Sequence, residues 1–218
     1  MRNIDTIIFD LDGTLLNSLG DLHACFNHAI EHFGYPTRSL DEIKSFVGNG
    51  IKKAIERALP YQVSDEELNK ITEYFRSYYK EHMFELTKPY EGIIELLSNL
   101  KAKGYKLAIV SNKYDDAVKN LSKFYFGDLV DIAVGEDYGI RKKPEIDGVL
   151  KAIQIMGSEL ETCIFVGDSD VDIMTAQNAN IPCISVLWGY RNKEFLIQRG
   201  AKIFTEKAKD IEKILYLS

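Results

Sequence analysis

Basic charge is the minority in this chain: 27 lysines and arginines stand against 33 aspartates and glutamates, a formal net charge of -6. General nucleic-acid binders show a basic patch or stripe, so the balance argues against that class, and any anion bound here must meet locally placed donors. Cysteine is scarce. The three present, Cys25, Cys163 and Cys183, include no Cys-x-x-Cys pair, and two lie in apolar strand-like runs, which fits a reducing compartment. Long hydrophobic runs are missing as well. No apolar segment is long enough to span a bilayer, and the opening "MRNIDTIIFD" turns acidic where a signal or transit peptide would not. The expectation is a cytoplasmic protein with no membrane and no nucleic-acid partner. Internal repeats and low-complexity stretches are lacking too. What is present is 218 residues, 45% of them hydrophobic, enough to bury a core as one large domain or two unequal ones.

Two patterns alternate along the chain. Residues 18 to about 87 read as helical throughout: "SLGDLHACFNHAIEHFG", "SLDEIKSF" and "SDEELNKITEYFRSYYKEHMFEL" each open with serine and carry an acid three residues later, a capping-box spelling. In the last, Leu68, Ile71, Phe75, Tyr78 and Leu86 recur near helical spacing as one apolar face. From Pro89 on, helices and strands alternate. A helix over 91–103 closes at Gly104, and the strands "KLAIVS", "VDIAVG", "TCIFVGD" and "PCISVL" are separated by helical stretches, one of them starting near Pro144. Such spacing implies βαβ units and a parallel sheet covered on both faces, with residues 6–9 as its first strand. The helical segment is then an insertion between the first strand of an open α/β sheet and the rest.

Chemistry concentrates where the strands end. "TIIFDLDGTLL" places Asp10 and Asp12 at the end of the first strand; residues two apart on a strand point the same way, and ligands of open α/β sheets bind beyond the carboxyl ends of the strands. An Asp-Gly turn would account for Asp12 and Gly13 but leaves Asp10 unexplained. "VGDSDVD" follows another strand end. Ser169 and Asp172 also spell a helix start, which does not account for Asp168. Four carboxylates in one crevice repel unless a cation is held among them, and carboxylates without a His or Cys cluster suit a hard ion, Mg²⁺ where a phosphate is also bound. "IVSNK" offers Ser111, Asn112 and Lys113 as a hydroxyl, N–H groups and an ammonium for an anion, or as an ordinary loop. "RKKPE" places Lys142 and Lys143 before Pro144 as a plausible first helical residue. A lysine set against the helix dipole needs a negative partner, whereas Lys142 also reads as solvated surface.

In this order, "DLDGTLL", "VSN", Lys143 before Pro144 and "GDSDVD" resemble the haloacid dehalogenase superfamily of phosphotransferases over essentially the whole chain. The resemblance implies an α/β fold: a Rossmann-like parallel-sheet core formed by residues 1–16 and 88–218, with a helical cap of the type-one kind inserted over 17–87. Further stretches, "FVGNGIKKAIERAL", "KPYEGIIELLSNLKAKGYKLAIVSNK" and "VLWGYR", are similar to phosphoglycolate phosphatases, while Lys143-Pro144-Glu145-Ile146 lacks the second proline often found there. The likeness implies Mg²⁺-dependent hydrolysis of a small phosphate monoester by a monomer or homodimer. Asp10 would be the nucleophile and Asp12 the acid/base. Mg²⁺ would sit between the Asp10 carboxylate, the Asp12 backbone carbonyl and Asp168, with Asp172 orienting that shell. Lys143, Ser111 and Asn112 would meet the phosphoryl oxygens. The cap would close over the site. Within it, Gly48, Asn49 and Gly50 lead into a helix and could offer N–H groups to a substrate carboxylate such as that of 2-phosphoglycolate, with Arg57 as a further cation, or serve only as a flexible turn. Pyrophosphatase, sugar phosphatase and nucleotidase keep the same core motifs. A dehalogenase would not need Asp12, Asp168 and Asp172, and a non-catalytic binder would not need both Asp10 and Asp12.

Overall fold

The structure, a computed structural model, describes residues 4–137 and 139–217. The chain divides into two compact units, one comprising residues up to Leu16 together with those from Pro89 onward, the other Asn17–Lys88. It passes from one to the other along the two-residue strands β2 (Leu16–Asn17) and β3 (Lys88–Pro89), which pair with each other.

In the first unit six strands form one sheet. They are β1 (Thr6–Phe9), β4 (Lys106–Tyr114), β5 (Ile132–Glu136), β6 (Cys163–Gly167), β7 (Cys183–Val186) and β8 (Ile203–Thr205). Their order is β5-β4-β1-β6-β7-β8, and every described pairing is parallel. The helices α5 (Ile93–Ala102), α6 (Asp115–Phe126), α7 (Asp147–Met156), α8 (Asp170–Asn178), α9 (Lys193–Gln198) and α10 (Asp210–Leu217) connect or follow these strands. All of β1 is buried, which is why it reads as an unbroken apolar run: a central parallel strand is covered on both faces. Ile8, Ala108, Val110, Val134, Phe165 and Ala176 belong to one continuous core. Register sets the site. Phe9 pairs with Ile109 on one side and Val166 on the other, so β1 and β6 end within one residue of each other while β4 runs on to Tyr114.

The second unit consists of α1 (Leu19–His32), α2 (Leu40–Phe46), α3 (Ile51–Ala58) and α4 (Asp65–His82). Its core includes Phe26 and Phe75, ring centroids 4.6 Å apart. Of the three capping-box spellings, only Ser39/Glu42 is made in full. Ser64 accepts from the Glu67 N–H, but the Glu67 carboxylate takes the Tyr35 hydroxyl at 2.6 Å. Ser18 makes no side-chain capping bond. Asp21, its expected partner, instead accepts from the N–H groups of Leu86 and Thr87 and from the Thr87 hydroxyl, anchoring the segment that follows α4.

Several sequence expectations shift. On α4 it is Tyr79 that is buried with Leu68, Ile71 and Phe75; Leu86 lies beyond the helix and is exposed. Strand β8 is absent from the sequence reading, because three residues carry too little periodicity to be recognised. The helix expected near Pro144 starts at Asp147. Ahead of it, the Asn112 side chain bonds both the N–H and the C=O of Lys143.

Candidate active site

Asp10 follows the last residue of β1, and its N–H donates to the Val166 carbonyl on β6 at 2.9 Å. Asp168 and Asp172 follow β6, the first in the loop and the second in the opening turn of α8. The carboxylates of Asp10, Asp168 and Asp172 are all buried, and one oxygen of each lies within 4.8 Å of the others. Asp172 serves two purposes. Its Oδ2 accepts from the Ser169 N–H at 3.0 Å and the Ser169 hydroxyl at 2.6 Å, while its Oδ1 accepts from Lys143 Nζ at 2.7 Å. The helix-start and site readings of "SDVD" both hold, since a carboxylate has two oxygens to give.

Two lysines divide the acids. Lys143 Nζ donates to Asp10 Oδ1 and Asp172 Oδ1, each at 2.7 Å. Lys113 Nζ donates to both oxygens of Asp12, each at 2.9 Å. Lys113 lies in the stretch between Val110 and Tyr114 where the pairing of β4 with β5 shifts register. Such an irregularity re-aims side chains that would otherwise alternate strictly between faces. Ser111, Asn112 and Lys113 are all buried, as are residues 107–110 of β4 before them. The Ser111 hydroxyl accepts from the Lys113 N–H at 3.3 Å, and Asn112 holds the backbone of Lys143 from both sides. Lys142 points elsewhere, is exposed, and pairs with Glu136.

The electrostatics are set by burial. Asp10 is pushed well above the usual carboxylate range by desolvation, which the attraction of Lys143 does not offset, with Asp172 and Asp168 adding to the rise. Asp168 rises to about 7, again through desolvation first and Asp172 second, against the pull of the Tyr190 N–H, Arg191 and Lys143. Lys143 moves the other way relative to its own burial: desolvation favours its neutral form, but Asp10 and Asp172 together hold it charged and raise it. Three buried acids thus stand around one ammonium, which bonds Asp10 and Asp172. That donor set, oxygen only and over-supplied with negative charge, fits a hard divalent cation. Asp12 stands apart from it, with its carboxylate taken by Lys113.

Residues not singled out as site residues in the sequence complete the cradle. The Tyr190 N–H donates to Asp168 Oδ2 at 2.7 Å, and Trp188 Nε1 to the Thr14 carbonyl at 3.0 Å. Gly13, at φ 92°, and Gly189 both lie where a Cβ would collide with Asp168. "WGYR" carries the signal as a glycine beside aromatics in a strand-following loop, but only the tertiary contact shows what it approaches. Gly48, Asn49, Gly50 and Arg57 belong to the second unit. There Gly48 and Gly50 have φ of 115° and 87°, Gly50 precedes α3, and Arg57 Nη1 donates to the Phe46 carbonyl at 2.9 Å.

Known proteins share this arrangement of sequence and fold. The family described as haloacid dehalogenase-like hydrolase matches residues 7–186. A phosphoglycolate phosphatase of Aquifex aeolicus is 36% identical over 190 residues, covering 84% of this chain and 85% of that protein. The pyrophosphatase PpaX of Bacillus cereus is 28% identical over 216 residues, covering 97% and 96%. A solved structure from Lactobacillus delbrueckii subsp. bulgaricus, of a protein proposed to be a phosphoglycolate phosphatase, superposes with a TM-score of 0.93 at 34% identity, covering 99% of each chain. This chain belongs to the haloacid dehalogenase-like hydrolase family and is similar to its phosphoglycolate phosphatases.

Proposed function

We propose that the protein hydrolyses small phosphate monoesters in two steps through an aspartyl-phosphate on Asp10, with 2-phosphoglycolate as the first candidate substrate. The observation that carries this reading is the buried triad of Asp10, Asp168 and Asp172 bridged by Lys143 at the end of the central strand. In the first step an oxygen of Asp10 attacks phosphorus and the bond from phosphorus to the ester oxygen breaks. Asp12 gives its proton to the departing alkoxide, then takes a proton from the water that attacks phosphorus and releases Asp10. Dividing one displacement into two lowers each barrier. Lys143 carries positive charge at Asp10 whether or not substrate is present, and positioned charge supplies most of the catalysis in phosphoryl transfer. Asn112 keeps that lysine in place through its backbone.

Mg²⁺ would be held by the carboxylates of Asp10 and Asp168 with the Asp12 main-chain carbonyl, Asp172 orienting that shell, and it would favour the ionised form of Asp10 against the burial that disfavours it and stabilise the phosphoryl oxygens. Selection of the ester's tail is assigned to Gly48, Asn49 and Gly50, with Arg57 as a further contributor. Pyrophosphate is the second reading, because a relative 28% identical carries that activity in its name.

A panel of 2-phosphoglycolate, ethyl phosphate, a sugar phosphate, a nucleotide and pyrophosphate, incubated with purified protein and Mg²⁺, tests both, with the Asp10→Asn protein as blank. Mg²⁺-dependent phosphate release that is highest from 2-phosphoglycolate is expected. No release from any compound above the blank would remove the hydrolase reading.

A further inference from the structure

We infer that Lys113 is a positioning residue for Asp12, holding its carboxylate where it serves the leaving group, and that it does not bind the substrate's phosphoryl group. The inference rests on Asp12 being the acid/base proposed above. Both Asp12 oxygens lie 2.9 Å from Lys113 Nζ. A carboxylate bonded through both oxygens to one ammonium has its plane fixed as well as its location.

Burial gives the pair a direction. The Lys113 side chain is 2% exposed and that of Asp12 18%. The ammonium therefore lies on the protein side, with the carboxylate nearer the open side of the site. Lys113 directs its ammonium at both Asp12 oxygens, so at most one of its three N–H bonds is left for a phosphoryl group. The anion-holding role suggested by "SNK" is already met by a different lysine, because Lys143 stands at Asp10 within the acidic triad. Lys113, in the register-shifted stretch of β4, meets Asp12, which is not one of that triad.

The test compares two ester substrates of the same enzyme. Lys113→Met keeps the aliphatic stem and removes the ammonium. Because protonating a poor leaving group is the task of Asp12, kcat on ethyl phosphate should fall roughly tenfold to a hundredfold, short of the ~10²–10⁴-fold that loss of an acid/base brings. On p-nitrophenyl phosphate, whose leaving group needs little protonation, kcat should change by less than about threefold, and KM should hold for both. Added to Asp12→Asn, Lys113→Met should cost little more, since the two residues act as one unit. Lys113→Gln retains an N–H donor, should fall between wild type and Lys113→Met, and carries the comparison if the methionine variant does not fold. A rise in KM on both esters at unchanged kcat would make Lys113 a phosphoryl ligand and overturn the inference. An equal fall in kcat on both would overturn it as well. If Asp12→Asn itself slows both esters alike, the acid/base reading fails and this inference with it; if Asp12→Asn discriminates and Lys113→Met does not, only the inference fails.

Discussion

Single side chains divide the labour at the end of β1. Asp10 and Asp12 are two residues apart on one strand end, yet each has a different lysine, and that difference separates an acid inside a cation-seeking cluster from one held outside it. Replacement of Asp10 by asparagine keeps the shape and removes the nucleophile together with one of three mutually repelling buried charges. Asp10→Asn should therefore abolish turnover while its melting temperature in chelator equals or exceeds that of the wild type. Phosphate release and a thermal melt check this, and an active, folded variant would eliminate the covalent route. The sequence shows which side chains gather here because strand ends, acids and turn residues are local signals. Which lysine meets which acid is not legible there, since it is settled between residues far apart in the chain.

At the scale of elements, local signals are met unevenly. Ser39 and Glu42 form their reciprocal cap, whereas Asp21 is diverted to Leu86 and Thr87 by contacts 65 and 66 residues away. The consequence is a ranking. Ser39→Ala should destabilise the helical unit by about 1 kcal/mol, the usual loss for a cap. Asp21→Ala should cost more, because it removes the acceptor of the buried Thr87 N–H and hydroxyl as well as of the part-buried Leu86 N–H, at about 1–3 kcal/mol for each buried group left unsatisfied. Denaturant titration of the two variants gives the order, and a larger loss for Ser39→Ala would refute it. The strand pattern is easier to read than the helix ends. An apolar run buried on both faces looks the same in any parallel sheet, while a cap depends on what else competes for its carboxylate.

For the whole molecule, the acidic triad couples folding to protons and to metal. Asp168 rises from the ordinary 3.8 to about 7, and Asp10 shifts in the same direction. A carboxyl raised in the native state binds more protons there than in the unfolded chain. Its contribution is thus fully present below the unfolded value and is lost as pH climbs through about 7, at up to about 1.4 kcal/mol per pH unit for one group. A divalent cation favours the deprotonated triad. Added Mg²⁺ should raise the melting temperature more near about pH 8 than near about pH 5.5, and an equal gain at both would show that the triad is not where the ion binds. Choice of ester is tested separately with Asn49→Asp. If residues 48–50 select a carboxylate tail, kcat/KM on 2-phosphoglycolate should drop roughly tenfold to over a hundredfold with ethyl phosphate spared. A parallel drop on both would assign the loop a mechanical role, and no drop would direct attention to Lys53, Arg57 and Arg191.

The sequence by itself determined the alternation of strands and helices, the inserted helical segment and the positions of the acids, because periodicity, capping residues and strand-end punctuation act within a few residues. Only the tertiary structure decided the rest. The ends of β1 and β6, within one residue of each other, set Asp10 beside Asp168, two glycines admit the Asp168 carboxylate where a Cβ would collide, and burial raises Asp10 and Asp168. These are distances between residues far apart in the chain, and a pattern of local preferences contains no such distances.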